Sequence, residues 1–419
     1  MGNEIELTLT GMAYGGEAFG RDDTGRMVFV PFALPGERVQ VRVRDEHKRW
    51  ARAAILQVLD PSPLRIQPRC PHFGQCGGCH YQHLQYSDQL EVKKTIVVDQ
   101  LQRIGGFQSP PVLDVIASPE AWNYRNQMQF HIGDTGKLGL VRQGGAAVIE
   151  LRECHLPLAP VNELWPLIRV EEQDSLQRVS VRTDALDDTM IVFHARQDPA
   201  QDIEVLAGCS VIWSTPSSWQ VLAGDSTLQM EVLDRSFRVS PASFFQVNTS
   251  LVTELVTRVM DCAQAEPGQL VLDLYAGVGL FSLFFAERGS RVIAVESSPS
   301  ACADFEVNLD PYAGIELYEA TAEAALAAIE SHPDLILVDP PRAGLGREVI
   351  DLILAKQPAR LVYVSCDPAT MARDSRRLAA GGMQLEQVQP IDLFPQTYHI
   401  ETVSSWCSDQ NGSSTSNVA

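Results

Sequence analysis

The chain has 419 residues, 45% of them hydrophobic and 21% charged, which is typical of a globular protein of roughly two to four domains. It has no run of about 18 uncharged apolar residues and no secretion-signal pattern at its N-terminus, so we expect no membrane association. The net charge of −20 argues against a surface that binds nucleic acid everywhere, because backbone affinity comes from Lys and Arg. Nine cysteines in such a chain favour a reducing cytoplasm and thiol, metal or cluster chemistry.

Residues 5–59 consist of short strand-like runs between turns that contain Gly and Pro. The runs IELTLTG, RMVFVPF, RVQVRV and RAAILQVL predict a small β-barrel. Six basic residues lie within fifteen positions of this segment: Arg38, Arg42, Arg44, Lys48, Arg49 and Arg52. They suit either a solvated strand face or a local nucleic-acid contact. The stretch GEAFGRDDTGRMVFVPFALPGERVQVRV resembles the TRAM domain, an OB-like RNA-binding barrel, and this resemblance favours contact with RNA.

A Pro-Ser-Pro linker at 61–63 precedes a mixed α+β segment that contains a cysteine cluster. Cys70, Cys76 and Cys79 lie in CPHFGQCGGC, whose glycines let the backbone curl so that several thiolates can converge. Cys154, the nearest downstream cysteine, is the best candidate for a fourth ligand. Four thiolates suit zinc or an iron–sulfur cluster, and the spacing alone leaves both open.

From Pro241 onward, strands alternate with helices, which predicts a parallel, doubly wound sheet. The predicted strands are QLVLDLY, RVIAVE, IELYEA, DLILVDP and RLVYVS. The final residues, DQNGSSTSNVA at 409–419, are small and polar, and we expect them to be disordered.

Four of these strands end in side chains that can carry chemistry, namely Asp273, Glu296, Asp339 and Cys366. Open α/β sheets bind ligands at the carboxyl edge of their strands, so we expect the four to share one rim. The turn YAGVG allows close approach of a cofactor, and Glu296 could accept both hydroxyls of a ribose. A dinucleotide and S-adenosylmethionine both suit that arrangement. Taken alone, each position also suits an ordinary strand end, and Cys366 suits a core thiol.

Five motifs occur in the order found in the RNA uridine-C5 methyltransferases, which the chain resembles over nearly its whole length: FFQVN, DLYAGVG, DPPRAG, SCDPATMARD and FPQTYHIET. The branch acting on 23S ribosomal RNA is the most similar. The resemblance implies an OB-like TRAM barrel, a central mixed α+β domain and a Rossmann-like methyltransferase domain. It also implies these roles: S-adenosylmethionine contacts at Gln246, Tyr275, Glu296 and Asp339, a nucleophile at Cys366, a general base at Glu401, and a 4Fe–4S cluster on Cys70, Cys76, Cys79 and Cys154.

The chemistry of uracil explains these residue types. Uracil C5 accepts a methyl group only after a thiolate has added to C6, and the C5 proton must then leave to a base. The target base must also leave its stack to reach a pocket at the sheet edge. His399, two residues before Glu401, could assist the base, and YRNQ at 124–127 resembles a family segment near the RNA path, where its aromatic ring and arginine could stack on bases. Asp367 stands where the family often has Asn, and both residues cap helices well.

We therefore expect a barrel at 1–60, a central domain at 61–240, a catalytic domain at 241–408 and a tail at 409–419. The predicted activity is formation of 5-methyluridine in 23S rRNA by a cytoplasmic monomer, with tRNA as the alternative substrate. A non-catalytic RNA-binding scaffold would need neither Cys366 nor Glu401. A methyltransferase acting on nitrogen or on protein would need no nucleophilic cysteine.

Overall fold

The computed structural model describes residues 3–170, 175–197 and 208–408. Its first five strands are β1 (Glu4–Met12), β2 (Glu17–Arg21), β3 (Met27–Pro31), β4 (Arg38–Glu46) and β5 (Trp50–Asp60). They close into a barrel with the order β1-β2-β3-β5-β4. Alternate apolar side chains point inward, so that Val28, Val30, Val39 and Val41 are fully buried. The predicted barrel is confirmed.

A helix that follows the barrel packs against a distant part of the chain. Helix α1 (Tyr86–Gln100) continues into a π-helical turn at Leu101–Gly105. Its Val97 is fully buried in the apolar layer under the C-terminal sheet. Its Lys93, also fully buried, donates to Asp392 at 2.5 Å. The predicted central domain includes this helix, but the buried face of the helix belongs with the C-terminal sheet.

The central segment forms a mixed sheet. Its elements are β6 (Gln127–Ile132), β7 (Leu138–Val141), β8 (Val148–Glu150), α2 (Ala159–Leu164), β9 (Leu176–Thr183), β10 (Thr189–Ala195), β11 (Ser210–Ser214) and β12 (Trp219–Ala223). Among the described residues the strand order is β12-β11-β10-β9-β6-β7-β8, antiparallel except for the β10–β11 pair. A separate hairpin, β13 (Leu228–Val232) and β14 (Arg235–Val239), leads to the last domain.

The C-terminal domain alternates helices with parallel strands. Its elements are α3 (Thr249–Ala263), β15 (Leu270–Leu274), α4 (Leu280–Glu287), β16 (Arg291–Glu296), α5 (Pro299–Leu309), β17 (Ile315–Glu319), α6 (Ala322–Ala328), β18 (Leu335–Val338), α7 (Gly346–Lys356), β19 (Arg360–Ser365), α8 (Pro368–Ala380), β20 (Met383–Ile391) and β21 (Glu401–Ser408). The strand order is β17-β16-β15-β18-β19-β21-β20. Apolar layers cover both faces, which is why strands such as LVYV are buried throughout. The predicted doubly wound sheet is confirmed.

Strand β21 runs against the parallel strands and lies between β19 and β20. Its first residue therefore lies at the edge where the parallel strands end. Ser365 at the end of β19 pairs with Thr402 at the start of β21. This pairing brings two residues that are 37 positions apart in sequence to one corner of the sheet.

In the part of the chain that the structure describes, no helix is both long and apolar enough to cross a bilayer. The predicted disordered tail, 409–419, lies outside the described residues.

Candidate active site at the carboxyl edge of the C-terminal sheet

The thiol of Cys366 and the carboxyl of Glu401 are neighbours at this edge. Cys366 directly follows β19, and Glu401 opens the adjacent antiparallel strand β21. Glu401 is 4% exposed and Cys366 is half-buried. Burial, followed by the negative charges of Glu401 and Asp339, raises the pKa of the Cys366 thiol to about 12. Burial and Asp339 likewise raise the pKa of Glu401 well above its usual range.

Two further carboxyls lie behind this pair. Burial and the charge of Asp273 raise the pKa of Asp339 to about 7. Burial is also the main reason that the pKa of Asp273 rises to about 7, although Ser282 donates to its Oδ2 at 2.6 Å. The other oxygen of Asp273 is buried with no hydrogen-bond partner. Carboxyls with pKa values raised toward neutrality, grouped at a ligand-binding edge, are typical of functional sites.

Arg342 is the cation of this corner, and reasoning from the sequence gave it no role. It follows the two prolines after Asp339, and its positive charge partly offsets the rise in the pKa values of Cys366 and Glu401. Its Nη2 lies 3.3 Å from Nε2 of His399. Burial, together with Arg342, lowers the pKa of His399 to about 3, so this imidazole is neutral. The signal that could have revealed Arg342 was its place beside a strand-end carboxylate.

The turn between β15 and α4 has the geometry expected of a cofactor loop. Tyr275 has a φ of 65°, which is rare for a residue with a side chain and typical of functional sites. Gly279 has a φ of 92°, and a Cβ there would lie 2.3 Å from Leu309 on α5. The second glycine is therefore required by both backbone conformation and helix packing.

Glu296 stands beside this turn with its carboxylate held by the backbone. Its Oε2 accepts the amide of Gly277 at 2.9 Å, and its Oε1 accepts the amides of Ser297 and Ser298 at 2.8 and 2.7 Å. Three amide donors fix the orientation of the carboxylate. With three of its roughly four lone-pair positions in use, the carboxylate keeps about one, on Oε2, for a hydroxyl group.

Gln246 lies in the loop before α3 and is buried. Its backbone carbonyl accepts Nδ2 of Asn126 at 3.0 Å, and the backbone amide of Asn126 donates to Val247. The central segment therefore fixes this loop from outside the C-terminal domain. Tyr124, in the same YRNQ segment, is 2% exposed and donates to the carbonyl of Pro395. The suggestion that it stacks on RNA bases is wrong, because its ring is packed in the interior.

The four predicted cluster cysteines lie in one neighbourhood with free thiols. Burial and then the charge of Cys76 and Cys70 raise the pKa of Cys154 to about 11. Burial and the other three thiols also raise the pKa of Cys79. Within residues 3–170, 175–197 and 208–408, no three His, Cys, Asp or Glu side chains are grouped as the ligands of a metal ion. The cluster stays a prediction.

Half of the basic cluster on the barrel is paired with carboxylates. Arg38 contacts Glu6 and Asp60, Arg42 contacts Glu4, and Arg52 contacts Glu17. Three other basic residues are exposed, Arg44 near the end of β4 and Lys48 and Arg49 in the turn before β5. Beside them, the aromatic ring of Trp50 stacks on His47 and lies 5.6 Å from the guanidinium of Arg52. The basic surface is therefore smaller than the sequence suggests.

An OB-like barrel joined to a doubly wound sheet with a thiol and acidic groups at its ligand edge defines a nucleic-acid-modifying enzyme of the methyltransferase fold. The model of the tRNA (uracil-5-)-methyltransferase family matches residues 223–405, and the TRAM domain model matches residues 1–56. The chain belongs to this family of RNA uracil-5 methyltransferases with a TRAM domain, and it is an RNA methyltransferase.

Similar proteins match over nearly their whole length. A protein of Aquifex aeolicus named as an uncharacterized RNA methyltransferase is 36% identical, over 96% of this chain and 97% of that protein. A Synechocystis protein with a name of the same kind is 32% identical, over 96% and 95%. The crystal structure of Pyrococcus abyssi tRNA (uracil-54, C5)-methyltransferase, in complex with S-adenosyl-L-homocysteine, is similar with a TM-score of 0.75 and 25% identity, over 96% of this chain and 100% of that one.

Proposed function

We propose that the protein forms 5-methyluridine in RNA, with Cys366 as the nucleophile and Glu401 as the general base. The observation that carries this proposal is the pairing of Ser365 with Thr402, which makes the thiol and the carboxyl neighbours at the ligand edge. The solved relative from P. abyssi acts on uracil C5. A scaffold or a nitrogen methyltransferase gives no reason for a thiol beside a buried carboxyl.

Each group then has a defined task. Bound S-adenosylmethionine would supply the methyl group as a sulfonium electrophile. Cys366 loses its thiol proton to solvent and its sulfur adds to C6 of uracil, so that the C5–C6 π electrons move toward C5 and O4 and C5 becomes nucleophilic. After C5 has gained its methyl group, Glu401 accepts the C5 proton, the C5–C6 double bond re-forms and the Cys366 sulfur leaves. Arg342 favours the ionised forms of both groups, because it lowers the pKa of each.

The cofactor is S-adenosylmethionine in this proposal, and four residues contact it. The amide-held carboxylate of Glu296 accepts a ribose hydroxyl at Oε2, and the turn around Tyr275 lets the ligand approach the backbone. Asp339 and Gln246 complete the set at the strand edge and in the loop before α3. The S-adenosyl-L-homocysteine in the P. abyssi enzyme supports a cofactor of this class.

Tritium release tests the activity. RNA carrying uridine tritiated at C5 is expected to release tritium when S-adenosylmethionine is present. Cys366→Ala is expected to abolish release, because the variant lacks the sulfur that activates C5 in this mechanism. Cys407→Ala is the matched control, since this half-buried cysteine lies near the far end of the strand that Glu401 opens. Full release by Cys366→Ala would contradict the mechanism.

We also propose that Cys70, Cys76, Cys79 and Cys154 hold a 4Fe–4S cluster. Four buried or half-buried thiols that raise one another's pKa fit a cationic partner, which would favour their thiolate forms. The cluster would add stability to an irregular segment. Protein purified without oxygen is expected to be brown and to contain iron and sulfide, and Cys154→Ser is expected to lose both while Cys407→Ser keeps them. A colourless protein with stoichiometric zinc would overturn this proposal.

We place the target uridine in 23S rRNA, which follows from the motif resemblance; the P. abyssi enzyme, by its name, acts on tRNA. Mapping of 5-methyluridine in both RNAs from a deletion strain separates the two. Loss of one site from 23S rRNA is expected, and loss from tRNA alone would move the assignment.

We further propose that the enzyme acts as a cytoplasmic monomer with domains at 1–60, 61–240 and 241–408. Limited proteolysis tests the domain bounds, and light scattering tests the monomeric state.

A further inference from the structure

The turn between β1 and β2 extends from the barrel to the catalytic domain. Met12 and Tyr14 of this turn pack against the apolar layer beneath the C-terminal sheet. The turn is close to the central segment at Gly16, where φ is 84° and a Cβ would lie 3.0 Å from the side chain of His80. Sequence patterns predict only a Gly-rich turn here, because its contacts are with residues distant in sequence, such as His80 and Asp367.

The hydroxyl of Tyr14 donates to Oδ2 of Asp367 at 3.0 Å. Asp367 directly follows Cys366 and caps helix α8, since its Oδ1 accepts the amides of Ala369 and Thr370 at 2.9 Å each. The two oxygens of this carboxylate thus have separate tasks. One fixes the start of the helix, and the other is held by the barrel.

The ring of Tyr14 contacts the segment that carries the other half of the site. It meets Tyr398 edge to face, with centroids 5.6 Å apart. Tyr398 in turn lies 4.3 Å from the ring of His399, two residues before Glu401. One side chain of the barrel therefore touches both the nucleophile's loop and the approach to the base.

We propose that Tyr14 is a positioning residue: its hydroxyl, through Asp367, fixes the loop that presents Cys366 to the uracil, so that the barrel completes the active site. This inference rests on the proposed function. Burial and the Asp367 carboxylate raise the pKa of the Tyr14 phenol above its ordinary value, so the hydroxyl stays protonated and can donate at any working pH.

The fold does not depend on this hydrogen bond. Helix α8 keeps both of its capping bonds to Oδ1 without Tyr14. The barrel is fixed to the following segment elsewhere, where Arg65 donates to both oxygens of Glu37 at 2.5 and 2.8 Å and to the carbonyl of Phe32 at 2.9 Å. Removal of the hydroxyl alone should therefore leave folding and barrel docking intact.

Tyr14→Phe tests the inference in the full-length protein. We expect the single-turnover rate of methyl transfer at saturating RNA and S-adenosylmethionine to fall about tenfold, the effect of losing one hydrogen bond to a charged group. RNA affinity should be unchanged, because the ring remains. Covalent capture of RNA containing 5-fluorouridine should slow by the same factor. Tyr312→Phe is the matched control, since its hydroxyl also donates to a carboxylate, that of Glu287, at 3.0 Å.

Asp367→Asn supplies a second arm. Asn keeps the helix cap but lacks the charge that Tyr14 holds. We expect this variant to be slow as well, and the double variant to be no slower than the slower single variant. If the rate of the double variant is reduced by the product of the two single reductions, Tyr14 does not act through Asp367. A full rate in Tyr14→Phe, or a loss confined to RNA affinity, would also overturn the inference. An inactive wild type would instead refute the proposed function.

Discussion

Two buried glutamates, one at the base of the barrel and one at the edge of the catalytic sheet, show how partners decide the state of a carboxyl. Burial alone would raise the pKa of Glu37, but hydrogen bonds from Arg65 and from the amides of Leu34 and Ser62 outweigh it and lower that pKa. Glu401 is equally buried beside Asp339, and its pKa rises. The first carboxylate joins the barrel to the following segment, whereas the second keeps a raised pKa, as the proposed general base.

The difference extends to the surroundings of each residue. Around the barrel, acidic side chains face arginines, as Glu4 faces Arg42 and Glu17 faces Arg52. At the sheet edge, the charge of Arg342 acts on Cys366 and Glu401, whereas no cation is among the described neighbours that shift the pKa values of Asp273 and Asp339. Buried acidic groups with too little opposite charge nearby lower the free energy of unfolding. Such a loss of stability is typical of active sites.

The largest expected effect is that of Glu401→Gln. The amide cannot accept the C5 proton, so turnover should fall by roughly 10²–10⁴-fold, the usual contribution of a general base. The Cys366–RNA adduct should accumulate, because its release needs that proton to leave. Tritium release and a denaturant-resistant band of RNA-bound protein measure the two outcomes. Glu386→Gln, at an exposed pair with Arg360, is the control. Wild-type release in Glu401→Gln would exclude its role as the base.

Glu37→Gln removes the well-partnered carboxylate. We expect a loss of about 2–4 kcal/mol in the free energy of unfolding at pH 7, because the Arg65 guanidinium loses its charged partner. Denaturant unfolding followed by circular dichroism measures it. Glu6→Gln, an exposed partner of Arg38, is the control and should change little. Equal losses in the two variants would remove the contrast between buried and surface pairs.

The pH dependence of stability provides a third test. Asp273 and Asp339 have folded-state pKa values of about 7, against ordinary values of 3.8. The folded protein therefore keeps protons that the unfolded chain has released, and the free energy of unfolding should fall as pH rises from about 4 to about 7. Asp273→Asn should raise that free energy by on the order of 2 kcal/mol at pH 8 and have no effect well below pH 4.

Thermal or urea unfolding at both pH values measures this change. Asp261→Asn, an exposed residue of α3, is the control. The expectation fails if Asp273→Asn is no more stable than the wild type at pH 8, because the buried carboxyl would then carry no penalty.

The smallest effects belong to the paired arginines of the barrel. Arg42→Gln should change the free energy of unfolding by about 0–1 kcal/mol, as exposed ion pairs do. It should also affect RNA affinity less than Lys48→Gln or Arg49→Gln at the exposed turn. Removal of a side chain that neutralises one phosphate should reduce the salt dependence of binding by about one unit of slope. An equal reduction in all three variants would show that ion pairing leaves Arg42 available to RNA.

Local patterns predict the strands and the strand-end residues of the catalytic sheet. The signal is a continuous apolar run followed by a polar turn, and it lies within a few consecutive residues. Glu296 beside the YAGVG turn and Cys366 after RLVYVS are of this kind. Glu401 was accessible only through family motifs. Its position beside Cys366 depends on strand β21 pairing with β19, which no local pattern specifies.

Long-range partners explain the remaining differences. The sequence predicts helix α1 as part of the central segment. In the structure, Lys93 of this helix forms an ion pair with Asp392, and its apolar face packs against the C-terminal sheet. Tyr14 donates a hydrogen bond to Asp367, which lies more than 350 residues further along the chain. The basic cluster gives no sign in its own sequence that Arg38, Arg42 and Arg52 have carboxylate partners on other strands.

The position of β21 between β19 and β20 has a consequence for the order in which the enzyme becomes competent. During synthesis both flanking strands leave the ribosome before the strand that must enter between them. Until then, Cys366 is present without Glu401, and under the proposed mechanism an incomplete chain would not release a uracil that it captures. The same late strand that completes the sheet also carries the proposed base, so the proposal implies that a chain stopped before residue 401 does not turn over.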